Sequence, residues 1–137
     1  IKQGKGSEKP CLGTIVNLSS IAAQRTQSEL MAFSVSCAAL DQMTRSLAVS
    51  LAPERVRVNA VAFGSVMSAS LQDHLKQHPD QREAILAATP QARIAGPTEV
   101  AEAVQFLASD SSAFVTGEIL TVDGGRSLID AVSTSLH

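Results

Sequence analysis

The chain has 137 residues, of which 45% are hydrophobic and 18% charged, and its 11 basic and 13 acidic side chains give a formal net charge of -2. This size and balance predict one globular domain, or a piece of one. Because the charges are scattered and no apolar run reaches the roughly 20 residues that span a bilayer, we expect a cytoplasmic protein without nucleic-acid or membrane partners.

The first predicted elements are a strand and a long helix. A β-branched run bounded by Gly13 and Ser20 predicts a buried parallel strand over about 14–19. Apolar residues at helical spacing then predict a helix over about 30–52, which Pro53 ends.

Two further elements follow. The run 55–62 predicts a second strand, ended by Gly64, and the polar stretch 70–89 resembles a helical lid that is broken at Pro79.

The last helix and strand complete the predicted series. We expect Thr98 to be the N-cap of a helix that ends near Ser109, with Glu99 at its positive end. The run 118–122, followed by glycines, predicts the last strand. Strands that alternate with helices favour an α/β fold with a parallel sheet and right-handed crossovers. Three such strands leave open edges, so we expect a partner or a missing N-terminal half.

Four stretches of the chain, in order and at matching spacing, resemble the second half of the short-chain dehydrogenase/reductase family. They are 15–20, 32–40, 57–64 and 116–125. The resemblance implies the C-terminal half of a Rossmann-like doubly wound sheet. It implies that 1–137 is a partial domain, whose N-terminal dinucleotide-binding half is absent from the sequence.

The resemblance also places the family's catalytic residues. Its serine, which orients the substrate oxygen, falls on Ser20, with the neighbouring Ser19 as the less favoured alternative, and its tyrosine and lysine fall on Phe33 and Cys37. In the family the tyrosine transfers the proton and the lysine cation lowers its pKa and binds the cofactor ribose. A phenyl ring has no proton to give and a thiol supplies no permanent cation. We therefore expect the proton-transfer chemistry to be impaired.

The family uses NAD or NADP, and the resemblance places cofactor contacts at Gly64, Val66 and Ser68. Phe63 stands where the family usually has proline. The glycine-rich fingerprint that binds the pyrophosphate should precede this region and is not in the sequence. The chain alone is therefore not expected to hold a whole dinucleotide.

Simpler interpretations exist for each candidate residue. Ser20 could cap the turn that follows it, and Phe33 and Cys37 could be plain packing on a buried helix face. His74 and His78 have a spacing compatible with a metal, but no third ligand is placed nearby, so we predict a solvated face and no metal site.

Three hypotheses follow for the function. The first is a noncatalytic subunit or remnant that forms homo- or hetero-oligomers through the 30–52 helix and the C-terminal strand. The second is an NAD(P)-dependent oxidoreductase acting on a secondary alcohol or ketone when its N-terminal half or a partner completes it. The third is that the sequence is part of a longer protein.

Overall fold

A computed structural model describes residues 11–26 and 28–130, and within them the chain forms a three-stranded parallel sheet. The strands, in spatial as well as chain order, are β1 (Gly13–Ser20), β2 (Val56–Phe63) and β3 (Ile119–Val122). The α/β class and the Rossmann-like parallel sheet are therefore confirmed.

Four α-helices connect the strands. α1 (Met31–Leu51) joins β1 to β2, and three helices lie between β2 and β3: α2 (Ala69–Gln77), α3 (Pro79–Ala87) and α4 (Pro97–Ala108). The predicted long helix and the break at Pro79 are both confirmed. None of the helices in the described ranges is both long and apolar enough to cross a bilayer.

The strand register brings the carboxyl ends of the three strands together. Ser20 is paired with Phe63, and Phe63 with Val122. In open α/β sheets ligands bind outside these carboxyl ends. This edge is therefore where a functional site is expected.

The core is centred on β2. Val58, Ala60 and Val61 have no exposed surface, and Val61 packs with Val100 and Leu107 of α4. A parallel strand that is buried on both faces is mostly apolar in sequence. The apolar residues of β2 are therefore why the sequence predicts a strand here.

Asn59 interrupts that run because its side chain anchors the loop before β3. Its Nδ2 donates to the Val115 carbonyl at 2.9 Å and its Oδ1 accepts from the Glu118 N–H at 3.0 Å. Arg57 adds hydrogen bonds to the carbonyls of Val115 and Ser109, both at 3.1 Å. These bonds fix where β3 begins.

Helix α1 buries only a narrow stripe. The buried side chains share one face and are Ser34, Cys37, Asp41, Thr44 and Ala48. Several apolar side chains on the same helix remain exposed: Met31, Val35, Met43 and Val49.

The predicted N-cap at Thr98 is wrong. Gly96 is the N-cap and Pro97 the first helical residue, so Thr98 lies inside α4. Proline has a fixed φ that suits the first helical position, and the helix therefore starts at Pro97, two residues before the start that a cap at Thr98 implies. The Gly96 N–H donates to Glu99 Oε2 at 2.8 Å, which supports the role expected for Glu99 at the helix start.

Candidate active-site cleft

A cleft of about 180 Å³ lies at the carboxyl ends of β1 and β2, and we call it the Ser20 cleft. It is lined by Ser20, Ile21, Ala22, Arg25, Leu30, Phe33, Gly64, Ser65 and Arg126. Three of the predicted site residues, Ser20, Phe33 and Gly64, thus come together although they lie far apart in the chain.

Ser20 ends β1 and lines the cleft, and it also caps the turn. Its Oγ accepts the Ala22 N–H at 3.1 Å, which begins a short 3-10 helix over Ile21–Ala23. The capping interpretation is confirmed in geometry. It does not compete with the site interpretation, because a hydroxyl that accepts one bond still has its own hydrogen to donate.

Phe33 lies in the first turn of α1 with its ring on the cleft. The residue is 48% exposed, so the interpretation that it packs on a buried helix face is wrong. The 137-residue sequence contains no tyrosine, so no phenol of this chain can take the place of the missing hydroxyl.

Cys37, one helical turn later, is 6% exposed and is not among the residues that line the cleft. It belongs to the buried stripe of α1, as the packing interpretation predicts. Lys76 is the lysine found in the described ranges, and it lies on α2 paired with Asp73 at 2.9 Å. No lysine is among the residues that line the cleft, whose cationic side chains are Arg25 and Arg126.

The three predicted cofactor contacts lie at different places in the structure, and only Gly64 lines the cleft. Gly64 lines the cleft, and a Cβ added there would come within 3.1 Å of the Asp123 Cβ, so glycine allows this close approach. Val66 instead forms a β-bridge with Ala95. Ser68 caps α2 by accepting the Leu71 N–H at 3.2 Å. Neither Val66 nor Ser68 lines the cleft, and the cofactor role of all three stays a prediction.

The sequence analysis missed two arginines and a serine. Arg126 Nη1 donates to Ser65 Oγ at 2.8 Å, and Arg25 donates to the Ser127 carbonyl from Nε at 3.0 Å and from Nη2. Arg25 lies in the loop between the 3-10 helix Ile21–Ala23 and α1, where the sequence analysis predicted no element and named no site residue. Arg126 lies four residues after the end of β3, in the kind of loop where the rule for open α/β sheets could have found it.

A larger cavity of about 330 Å³ lies beside the cleft and carries the perturbed carboxylates. Burial would raise the pKa of Asp123, but hydrogen bonds from Ser127 and Gly125 and the charge of Arg126 bring the net pKa below its ordinary value. The pKa of Glu99 is lowered from 4.5 to about 2, chiefly by the hydrogen bond from Arg93 and also by that from the Gly96 backbone. Both groups are carboxylates at neutral pH.

His74 and His78, whose spacing in the sequence is compatible with a metal, are both exposed. The rings of His74 and His78 lie 4.6 Å apart, and His74 Nε2 is 2.7 Å from Gln81 Oε1. Among residues 11–26 and 28–130 no group of three or more potential ligands could hold a metal ion.

The polar side chains that line the cleft are hydrogen-bond donors and acceptors. They are two serine hydroxyls and two guanidiniums, and an arginine does not deprotonate in proteins. These residues alone do not fit a nicotinamide dinucleotide, because the buried Cys37 cannot replace a ribose-binding cation. We derive no hydride step through this chain alone.

Comparison with known proteins shows extended similarity. A family model described as enoyl-(acyl carrier protein) reductase matches residues 4–127. The cis-4-hydroxycyclohexanecarboxylate dehydrogenase of Sinomonas cyclohexanicum is 42% identical over 120 residues, which are 85% of this chain and 46% of that protein.

Two solved structures illustrate the likeness in fold. A short-chain dehydrogenase family protein from Francisella tularensis has a TM-score of 0.77 and 33% identity, covering 85% of this chain and 52% of that one. An NADPH-bound short-chain oxidoreductase from Pseudomonas aeruginosa, described as containing an atypical catalytic center, has a TM-score of 0.76 and 34% identity, covering 85% and 47%. The chain spans about half the length of the relatives it matches.

Proposed function

The chain belongs to the short-chain dehydrogenase/reductase family, and from that premise we propose that it is a catalytically impaired member, which keeps the substrate-side cleft but not the family's proton transfer. The observation that carries the proposal is Phe33, whose hydroxyl-free side chain lines the same cleft as Ser20. General acid/base assistance contributes about 10² to 10⁴ in rate. Its loss leaves a ligand-binding protein with at most residual turnover.

The buried Cys37 supports the same proposal. A lysine at this position would act as a cation near the reacting groups, whereas a thiol buried among the stripe residues of α1 packs against the sheet. A cofactor, NAD or NADP, would be bound by the whole protein and chiefly by its dinucleotide-binding half. To that binding site this chain would contribute Gly64, Ser20 and the other residues that line the cleft.

Turnover by the full-length protein tests the proposal. We expect no reduction of cyclohexanone with NADH or NADPH, and no reduction of either oxidised cofactor with cyclohexanol. Phe33→Tyr combined with Cys37→Lys should raise the rate by orders of magnitude, because it restores both groups. Phe106→Tyr is the matched control, since Phe106 is 45% exposed on α4 and lies outside the cleft. Clear turnover by the unaltered protein would contradict the proposal.

A second candidate is an oxidoreductase that acts on a secondary alcohol or ketone with an unusual proton donor. It is favoured by the P. aeruginosa relative, whose description combines bound NADPH with an atypical catalytic center. The Sinomonas relative, named for an alcohol-bearing carboxylate substrate, indicates the same substrate class. In this case the native rate should match or exceed that of the restored double variant.

We further propose that the protein self-associates through α1, with the C-terminal strand contributing. The exposed apolar side chains of α1 support this, since an apolar helix face on a folded chain commonly marks an interface. A twofold contact between two copies of α1 would cover the same residues on both chains.

A further inference from the structure

We propose that the Ser20 cleft binds a small organic carboxylate through Arg25 and Arg126. The inference rests on the proposed function in that it assigns a ligand class to the same cleft. It does not depend on whether that ligand is turned over.

The two arginines reach the cleft from different strands. Arg25 follows the 3-10 helix after β1, and Arg126 begins the 3-10 helix Arg126–Leu128 after β3. Arg25 donates to the carbonyl of Ser127, the residue next to Arg126. Both arginines therefore line the same cleft because of the fold, although they lie far apart in the sequence.

The charge of the cleft is positive. None of the residues lining it is acidic, whereas two are arginines. Asp123 is the carboxylate whose charge acts on Arg126, but its two oxygens accept the N–H groups of Gly125 and Ser127 at 2.9 and 2.7 Å. Asp123 lines the neighbouring cavity instead. An anion in the cleft would meet no opposing carboxylate on its walls.

The hydrogen bonds within the chain leave N–H donors of the arginines unused. A guanidinium carries five N–H groups, and the Arg126 side chain spends one nitrogen on Ser65 Oγ. Guanidinium groups bind carboxylates in a bidentate fashion that a lysine cannot reproduce. The Ser20 hydroxyl adds a possible third donor.

The remaining wall is apolar and the space is small. Ile21, Leu30 and Phe33 contribute hydrocarbon surface to the same cleft. A volume of about 180 Å³ lies below the range typical of pockets for drug-sized ligands, roughly 300–1,000 Å³. The combination selects a compact hydrocarbon body with one carboxylate.

The same two arginines could instead serve only as a clamp that ties the loops after β1, β2 and β3 together. A clamp needs their bonds to Ser65 and Ser127 but gives no preference for an anion. The ligand charge therefore separates the two roles.

The test is calorimetric titration of the full chain with benzoate and with benzyl alcohol, which has a similar shape and no charge. We expect benzoate to bind at least tenfold more tightly than benzyl alcohol and to weaken as salt is added. Arg126→Gln should weaken benzoate binding about tenfold, and Arg25→Gln somewhat less because Arg25 is exposed. Arg126→Lys should retain part of the affinity.

Arg45→Gln, which removes an exposed charge on α1 away from the cleft, is the matched control and should leave binding unchanged. Thermal melts establish that each variant is folded. Equal binding of the two probes, no saturable benzoate binding in the millimolar range, or an equal loss in Arg45→Gln would each overturn the inference. The titration uses no cofactor and no turnover, so it can fail while the protein is catalytically silent, and turnover can appear while carboxylate binding holds.

Discussion

Ser20 Oγ accepts the backbone N–H of Ala22 at 3.1 Å, so the residue that ends β1 also begins the 3-10 helix that forms one wall of the cleft. Ser20 therefore belongs to the strand, to the helix cap and to the cleft wall at once. A substitution at Ser20 should change the stability of the fold as well as any chemistry in the cleft.

Ser20→Ala should lower the free energy of unfolding by about 1 kcal/mol, the usual cost of losing a side-chain cap. Ser20→Thr, which keeps a hydroxyl, should recover most of that loss. Urea unfolding measures both values. In the background of Phe33→Tyr with Cys37→Lys, Ser20→Ala should also remove most of the gained turnover, and a gain that persists would argue against a substrate-orienting role for Ser20.

Asn59→Ala should lower the free energy of unfolding by more than Ser20→Ala, by about 2–3 kcal/mol. The change removes two hydrogen bonds from a side chain with no exposed surface and leaves a small cavity beneath β3. Denaturant unfolding measures the loss. Asn17→Ala is a suitable comparison because its side chain makes one bond, to Thr44 Oγ1 at 2.9 Å, and it should cost about 1 kcal/mol.

Gly124→Ala should destabilise the turn after β3 by about 1–2 kcal/mol or more. Gly124 has φ of 63°, a region that L side chains avoid, and its added Cβ would lie 2.8 Å from Thr89 Cγ2. Gly13→Ala is the control, since a Cβ there meets Val56 Cγ2 at 3.8 Å without a positive φ. Similar melting temperatures for the two variants would show that the turn relaxes more easily than the geometry indicates.

The sequence was sufficient to predict the strands and helices but not to predict which residues line the cleft. β1, β2 and α1 were predicted because β-branched runs and leucine spacing are local signals. The start of α4 was misplaced by two residues because Pro97, and not a polar side chain, sets it.

The arginines were missed for a different reason. Arg25 and Ser127 are 102 positions apart in the chain, and neither residue belongs to a periodic pattern. Only the parallel register, which brings the carboxyl ends of β1 and β3 to one edge, places them together. For Phe33 the opposite holds. The family resemblance predicted that it belongs to the site, but the sequence did not predict that its side chain is exposed.

The Arg93–Glu99 pair should produce a stability change in acid. The pKa of Glu99 falls from 4.5 to about 2 on folding, so its contribution is present above pH 4.5 and is lost as the pH falls from about 4.5 to 2. Glu99→Gln should flatten the melting temperature against pH across this window. Glu102→Gln removes the same charge from α4 without touching the Arg93 contact, and it should leave the acid dependence in place.

The exposed face of α1 predicts how the protein associates. Val49 is 78% exposed near the end of the helix, and Val35 is 64% exposed near its start. If two copies pair through this face, Val49→Lys buries two charges in a symmetric contact and should weaken association by about 10²-fold or more. Light scattering coupled to size-exclusion chromatography should show a dimer or larger species in the native protein and a shift to monomer in the variant.

The control for α1 is Phe114→Lys, which adds the same charge at a fully exposed aromatic residue outside the helix. It should leave the mass unchanged, because Phe114 lies before β3 and not on the proposed contact. A native protein that is monomeric at high micromolar concentration would remove the case for α1 pairing with itself.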